Sequence, residues 1–240
     1  MSIINDVLVG LKYFFIYMFT YALILFLVNK LKPLPKELFR KLFHFLAFSS
    51  VVVMIYAASE WVAATLIPLG LIVLMMPSLS IMSKNKKFSS MMSERRPGEL
   101  KSSLVQLFGT MTGIIFVAWG ILGRKELAIA AILMWGFGDA SAALIGKRFG
   151  KHKVVQFKNV DHKKSWEGTF AMGIVAFVFG LATLMLVGNV PLENCIIPVM
   201  VAAPLAALTE LFTKNGYDTV TVPVISVVSI YSMYLVTGVL

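Results

Sequence analysis

The sequence is poor in charged residues and almost free of cysteine, and both shortages narrow the class of protein. Only 14% of its 240 residues are charged, whereas 58% are hydrophobic. Soluble domains carry about 25% charged residues, so a chain with so few is expected to lie within a membrane. Its one cysteine, Cys195, excludes an internal disulfide framework. The three histidines and this cysteine show no zinc-ligand spacing.

Long apolar runs fill the sequence in place of charge. At about 20 residues per membrane span, the length allows roughly eight transmembrane helices and no sizeable soluble domain. We therefore predict an all-α fold, a polytopic transmembrane helical bundle that forms one integral membrane domain over residues 1–240. Prolines fall in the third and seventh predicted spans. The predicted spans are residues 7–28, 42–59, 61–80, 103–122, 126–146, 169–188, 195–212 and 220–240.

Lysine and arginine are unevenly distributed among the predicted loops. Of the 22 basic residues, only Lys12, Arg124 and Lys125 fall on one side of the predicted topology, and all the others fall on the opposite side. Because positively charged loops are retained in the cytosol, this pattern predicts a basic cytosolic face with both termini external. These loops explain the net charge of +10, which therefore does not indicate a nucleic-acid partner.

Asp139 is an acidic residue inside an apolar, helix-like run. A carboxylate in a bilayer-length segment is costly unless it faces a polar cavity or a partner, so it indicates a functional site. Mg²⁺ prefers carboxylate oxygens and commonly uses one or two of them together with substrate phosphates, so Asp139 suits a magnesium ligand or a general base. The alternative is a packing aspartate, because Gly136 and Ala140 belong to a surface of small residues around it.

A strongly basic loop follows Asp139 and leads into the sixth predicted span. It either sets the topology of the protein or binds an anionic ligand. Ser165 is the expected N-cap of the next helix, with Glu167 favourable in its first turn. A helix N-terminus beside two lysines is also expected to bind phosphate through free backbone N–H groups and the helix dipole. The basic residues of the loop are Lys147, Arg148, Lys151, Lys153, Lys158, Lys163 and Lys164.

Further polar residues fall on the same predicted side of the membrane. His44 follows Arg40 by four residues and so shares its helix face. Arginine suits bidentate phosphate contacts, whereas a solvated turn or an interfacial histidine is the plainer alternative. The polar residues of this side, apart from the basic loop, include Arg40, His44, Arg95, Arg96, Glu210 and Asp218.

Six short motifs occur in order along about residues 38–225. They are Arg40-Lys41-Leu42-Phe43-His44, Glu94-Arg95-Arg96-Pro97-Gly98-Glu99, Gly138-Asp139-Ala140-Ser141-Ala142, Gly146-Lys147-Arg148-Phe149-Gly150-Lys151, Lys164-Ser165-Trp166-Glu167-Gly168, and Glu210 followed by Asp218-Thr219-Val220-Thr221-Val222-Pro223. In this set the chain resembles the CTP-dependent lipid-alcohol kinases, namely the dolichol, phytol and farnesol kinase group and the yeast-type diacylglycerol kinase. In that group the last motif usually reads Asp-Asn, so Asp218-Thr219 departs from it.

The resemblance implies a membrane kinase that transfers the γ-phosphoryl group of CTP, with Mg²⁺ as cofactor, to the hydroxyl of a polyprenol, a phytol- or farnesol-type isoprenoid or diacylglycerol. It implies a catalytic cavity that opens to the cytosol and to the inner leaflet. Asp139, Glu210 and Asp218 would bind the metal or activate the hydroxyl. The phosphate-binding residues implied are Lys147, Arg148, Lys151, Lys163, Lys164 and Ser165, assisted by Arg95, Arg96, His44 and Arg40.

Two other functions remain open. The central part of the chain is similar to the phosphatidate cytidylyltransferases, although their later Lys-Asp, His-Gly-Gly and Asp-Arg signature is absent. An anion transporter would need charged residues along a path across the bilayer, whereas here they cluster on one side. The expected partners are a nucleoside triphosphate, a membrane lipid alcohol and the bilayer, without nucleic acid. A homodimer, the identity of the alcohol and the choice between CTP and ATP are left open.

Overall fold

A computed structural model describes residues 2–82, 99–154, 162, 164–214 and 216–239. Within these ranges the chain is helical and forms no named strand, and its isolated β-bridge joins Lys153 and Ser165. Eight of its helices are long and apolar enough to cross a membrane. The prediction of an all-α, polytopic helical bundle is therefore confirmed.

The eight helices follow the predicted spans in order. The fourth continues directly into a π-helical segment, Phe116–Ile121. The helices are α1 Ile3–Leu31, α2 Lys36–Ala57, α3 Trp61–Met82, α4 Glu99–Ile115, α5 Lys125–Phe149, α6 Trp166–Leu186, α7 Leu192–Phe212 and α8 Asp218–Thr237.

The helices extend beyond the predicted spans at their polar ends. Hydropathy predicts the end of α5 at residue 146 and the start of α6 at residue 169, whereas the helices reach Phe149 and Trp166. The reason is that hydropathy marks the length of chain matched to hydrocarbon, while backbone hydrogen bonds and caps decide where a helix stops. The π-helical segment was not predicted, because hydropathy does not distinguish one hydrogen-bond register from another.

The chain divides into two compact units, Met1–Phe116 and Val117–Leu240. In the first unit, α1 packs against α2 and α3, and α3 packs against α4. Leu46, Met54 and Ile67 are fully buried in its core. Phe14 of α1 meets Phe108 of α4 edge to face, with ring centroids 5.8 Å apart. The prediction of one integral membrane domain stays a prediction.

In the second unit, α5 packs against both α6 and α8, and α7 packs between α6 and α8. Every residue from Leu127 to Ile132 of α5 is buried, as expected for a helix that is apolar on all sides and surrounded by others. Phe137 and Phe179 stack across α5 and α6, with ring centroids 3.9 Å apart. This packing gives α5 a fixed place among its neighbours.

Four helix ends of the second unit meet in one place. The end of α5 and the start of α6 are joined by the bridge between Lys153 and Ser165. The end of α7 contacts the residue before Ser165, because Lys164 pairs with Glu210. After the end of α7, Tyr217 is the N-cap residue of α8, and Asp218 is the first residue of that helix. The polar residues of all four helix ends are thereby brought together.

Candidate functional site

The basic loop folds back onto the start of α6. The backbone N–H of Val154 donates to the carbonyl oxygen of Lys164 at 3.1 Å, and the N–H of Trp166 donates to the carbonyl oxygen of His152 at 3.1 Å. These bonds run antiparallel on either side of the Lys153–Ser165 bridge. The loop is therefore closed at its base by main-chain hydrogen bonds.

Ser165 caps α6, as predicted. Its hydroxyl oxygen accepts the backbone N–H of Gly168 at 3.3 Å, and the residue is buried. A Cβ added to Gly150 would lie 2.5 Å from the Ser165 Oγ, and one added to Gly168 would lie 2.8 Å from the carbonyl oxygen of Ala142. Glycine at these positions lets the end of α5 approach the start of α6 closely.

Glu167 holds the basic loop in place. It lies in the first turn of α6, as predicted, and its carboxylate accepts the backbone N–H groups of Lys151 and His152, each at 3.1 Å from Oε1. The Nδ1 of His152 lies 2.7 Å from the same oxygen. The sequence indicates no functional role for His152, so its contact with Glu167 is found only in the structure.

The N-terminus of α6 offers fewer free donors than expected. The backbone N–H groups of Trp166, Gly168 and Thr169 are bonded to the carbonyl oxygen of His152, the Ser165 hydroxyl and the carbonyl oxygen of Ser165. The Trp166 and Gly168 amides are therefore not free, and the Thr169 amide makes the first ordinary bond of the helix. Phosphate binding at this helix start stays a prediction.

Lys164 joins the start of α6 to the end of α7. Its Nζ lies 2.8 Å from the Oε1 of Glu210. The same ammonium donates to the carbonyl oxygens of Glu210 and Thr213, the latter at 3.0 Å. A lysine ammonium has three N–H donors, so all three have acceptors here. Lys164 therefore fixes the end of α7, and its binding of a phosphate stays a prediction.

Two further carboxylates, those of Asp139 and Asp218, lie near the Lys164–Glu210 pair. Glu210 is buried in the last turn of α7, and Asp139 and Asp218 are half-buried. Glu210 interacts electrostatically with both aspartates, and Asp218 interacts with Asp139 and with Lys164. Trp135 lies close enough to Asp218 to influence its carboxylate. The structure thus brings together the three acidic residues that were singled out on three different helices.

The acidic residues carry the type of ligand atom that a magnesium ion prefers, and binding of that ion stays a prediction. Among the described residues, no three His, Cys, Asp or Glu side chains are placed to hold one metal ion between them. Mg²⁺ does not require such a cage, since it usually keeps waters and binds one or two carboxylates together with substrate phosphates. Asp139 and Asp218 supply oxygen ligands of this kind, next to the buried Glu210.

The other predicted phosphate-binding residues have different placements. Lys147, Arg148 and Lys151 are exposed at and after the end of α5, and the Arg148 guanidinium lies over the Phe149 ring, 5.2 Å from its centroid. Arg40 and His44 lie one turn apart on α2, in the first unit. The residues that lie outside the described ranges are Arg95, Arg96 and Lys163.

Two site residues were missed in the sequence. Trp135 precedes Asp139 by four residues on α5, so helical periodicity places it on the same face and could have pointed to it. Thr213 contributes a backbone carbonyl to Lys164, and no pattern of side chains indicates such a contact. Sequence reasoning finds unusual side chains more readily than it finds main-chain acceptors.

The fold and the site define a multi-pass helical membrane protein with an acidic and basic cluster at one end of four helices. The chain is similar to a phytol kinase from Synechocystis sp. and is 28% identical to it over 206 residues. The similarity covers 82% of this chain and 79% of the relative. No family model matches the chain. No solved structure matches it either.

Proposed function

We propose that this protein is a membrane kinase that transfers the γ-phosphoryl group of CTP to the hydroxyl of a lipid alcohol. The observation that carries the proposal is the ion pair of the half-buried Lys164 with the buried Glu210, with Asp139 and Asp218 beside it. The similarity to a phytol kinase, which extends over most of both chains, supports the same conclusion. Phytol is itself a lipid alcohol.

Phosphoryl transfer depends on positioning and charge neutralisation more than on covalent catalysis. The alcohol oxygen attacks the γ-phosphorus, a new O–P bond forms, and the bond from that phosphorus to the β–γ bridging oxygen breaks, which releases CDP. Glu210 is the carboxylate that would accept the hydroxyl proton, because Lys164 holds it at the end of α7. A bound Mg²⁺ would neutralise charge on the phosphates, and Asp139 and Asp218 would hold it.

The exposed cations are suited to bind the donor. Lys147, Arg148 and Lys151 lie at the end of the helix that carries Asp139, so they are in reach of phosphates that approach from the polar end. Lys164 acts as a positioning residue for Glu210 in this scheme. The further phosphate contacts that we propose come from Lys163, Ser165, Arg95, Arg96, His44 and Arg40.

The test is a transfer assay with two positions of label. The purified full-length protein in detergent and phospholipid is given CTP labelled at either the γ- or the α-phosphate, with phytol, farnesol, dolichol, diacylglycerol or phosphatidic acid. We expect γ-label in an alcohol product, CDP as the second product, and no α-label in lipid. The same panel with ATP decides the donor.

Two results would contradict the proposal. If α-label enters phosphatidic acid with release of pyrophosphate, the reaction is cytidylyl transfer. If neither label enters any lipid while the protein remains folded, kinase activity on these alcohols is rejected.

A further inference from the structure

An apolar groove lies between α6 and α7 on the outer surface of the second unit. Its volume is about 450 Å³. Gly173, Ala203 and Ala207 are among the residues that line it, and a Cβ added to Gly173 would lie 3.7 Å from that of Ala207. These small residues leave space between the two helices, while Phe170 and Met200 beside them are exposed.

The groove leads to the candidate site. On α7, Ala203 and Ala207 are followed by Glu210 at helical spacings of four and three, so the lining and the carboxylate share one helix face. On α6, Thr169 lines the groove and its hydroxyl donates to the carbonyl oxygen of Ser165 at 3.2 Å. Lys164, next to Ser165, pairs with Glu210. Two lining residues, Trp166 and Leu208, are each two positions from a member of this pair, so the groove approaches the Lys164–Glu210 pair at its polar end.

The length of the groove matches one leaflet. Its lining on α6 runs from Trp166 to Phe177. At about 1.5 Å per residue this corresponds to roughly 16 Å along the helix. The hydrocarbon core of a bilayer is about 30 Å thick, so half of it is about 15 Å. A chain in this groove would extend from the polar end of the helices to the middle of the bilayer, which is the depth of a lipid that belongs to one leaflet.

We propose that this groove binds the hydrocarbon chain of the lipid-alcohol substrate and directs its hydroxyl to Glu210. The inference rests on the proposed kinase function and adds where the lipid-alcohol acceptor binds. The volume falls in the range of about 300–1,000 Å³ that is common for ligand sites. The charge at the polar end favours an alcohol over a phospholipid. A hydroxyl can donate to the Glu210 carboxylate, whereas the ionised phosphodiester of a phospholipid has no O–H group to donate.

Photolabelling tests the chain site without use of the transfer reaction. The full-length protein in phosphatidylcholine vesicles is irradiated with a long-chain prenyl alcohol that carries a diazirine on its chain, and adducts are located by mass spectrometry. We expect adducts on Phe170 and Met200 that an excess of phytol removes and an equal excess of phosphatidylcholine does not. Equal labelling of Phe19, an exposed residue of α1, with no competition by phytol would overturn the proposal.

A substitution that fills the groove can be compared with the same substitution elsewhere in the protein. Gly173→Leu places a side chain in the groove, whereas Gly113→Leu makes the same change on α4, where an added Cβ meets nothing within 4 Å. Displacing about two chain methylenes corresponds to a roughly tenfold loss of binding. We therefore expect Gly173→Leu to reduce phytol-competed labelling and to raise KM for phytol by about tenfold, with a smaller effect on geraniol and none on KM for CTP.

The outcomes separate the two proposals. Suppose that phytol displaces the photolabel but the wild-type protein transfers no phosphoryl group to any alcohol. This result would support the chain site and reject the kinase function. Transfer by the wild type, combined with identical behaviour of Gly173→Leu and Gly113→Leu, would reject the chain site and leave the kinase function standing.

Discussion

Lys164 joins the start of α6 to the end of α7, and all three of its N–H donors are bonded to acceptors at the end of α7. Removal of one partner of a buried ion pair costs about 3–5 kcal/mol, because the other charge remains buried. The Lys164 side chain is 19% exposed, so the lower end of that range applies.

We predict that Lys164→Ala lowers kcat by about tenfold and destabilises the protein by about 3 kcal/mol, with little change in KM for CTP. Lys147→Ala is the matched control, since it removes an exposed lysine at the end of α5. It should leave thermal stability unchanged and raise KM for CTP. A rise in KM for CTP with normal stability in Lys164→Ala would mean that this ammonium binds phosphate directly.

Asp139 gives a second prediction for a single side chain. Asparagine keeps the volume of aspartate but lacks the charge that a divalent cation needs. Asp139→Asn should lower turnover by about a hundredfold or more while the protein remains folded and inserted, as measured by size-exclusion chromatography and transfer assay. Asp6→Asn is the control, because Asp6 is a buried carboxylate of α1 bonded to Ser59. Near-normal turnover in Asp139→Asn would return Asp139 to a packing role.

The residues of the site differ in how well the sequence predicts them. Asp139 is conspicuous because a carboxylate in an apolar run is costly, and Ser165 because its type and position suit a helix cap. The pairing of Lys164 with Glu210 joins residues 46 positions apart, and it depends on how α6 and α7 pack. Local sequence carries no information on such a contact. The sequence therefore predicts a phosphate-binding role for Lys164 and does not predict its contact with α7.

At the level of the helices, the close approach of α5 and α6 depends on glycine. A Cβ on Gly168 would lie 2.8 Å from the carbonyl oxygen of Ala142 and 3.4 Å from the Cα of Gly146. These are main-chain atoms that move only if the helix moves. We predict that Gly168→Ala destabilises the protein by about 1–3 kcal/mol and lowers its melting temperature in detergent.

Gly113→Ala is the control for this change, since it lies in α4 and an added Cβ meets nothing within 4 Å. It should be neutral or stabilising by about 0.5–1 kcal/mol, because alanine favours the helix. Equal melting temperatures for the two variants would show that α5 and α6 can separate without loss.

The number and order of helices follow from hydrophobicity, because a bilayer demands long apolar segments with internally bonded backbones. The ends of the helices follow from hydrogen bonds that hydropathy does not register. Glu167, for instance, is recognisable as a first-turn glutamate, but its bonds to Lys151 and His152 require the loop to fold back. Caps are local and can be predicted, whereas contacts between a loop and a helix are not local.

For the whole molecule, the distribution of charge predicts its orientation. Lys153 and Glu193 are both exposed, and they lie at opposite ends of the helices of the second unit. The native Cys195 is fully buried, so it gives little background in cysteine labelling. We predict that a membrane-impermeant maleimide added to intact cells labels Glu193→Cys and not Lys153→Cys.

Permeabilised cells supply the control, since both positions should then be labelled. Labelling of Lys153→Cys in intact cells would place the basic loops outside and overturn the predicted topology.

The two main-chain hydrogen bonds at the base of the basic loop, from Val154 to Lys164 and from Trp166 to His152, have a practical consequence for protein engineering. A loop that is closed at its base by hydrogen bonds passes little strain to the helices that it joins. Lengthening such a loop costs an entropy that increases only slowly with its length. A reporter domain or affinity epitope inserted into the chain between Val154 and Lys164 would be attached beyond these hydrogen bonds. The α5–α6 junction is thus a natural attachment point for a tag on the face of the molecule that carries the site.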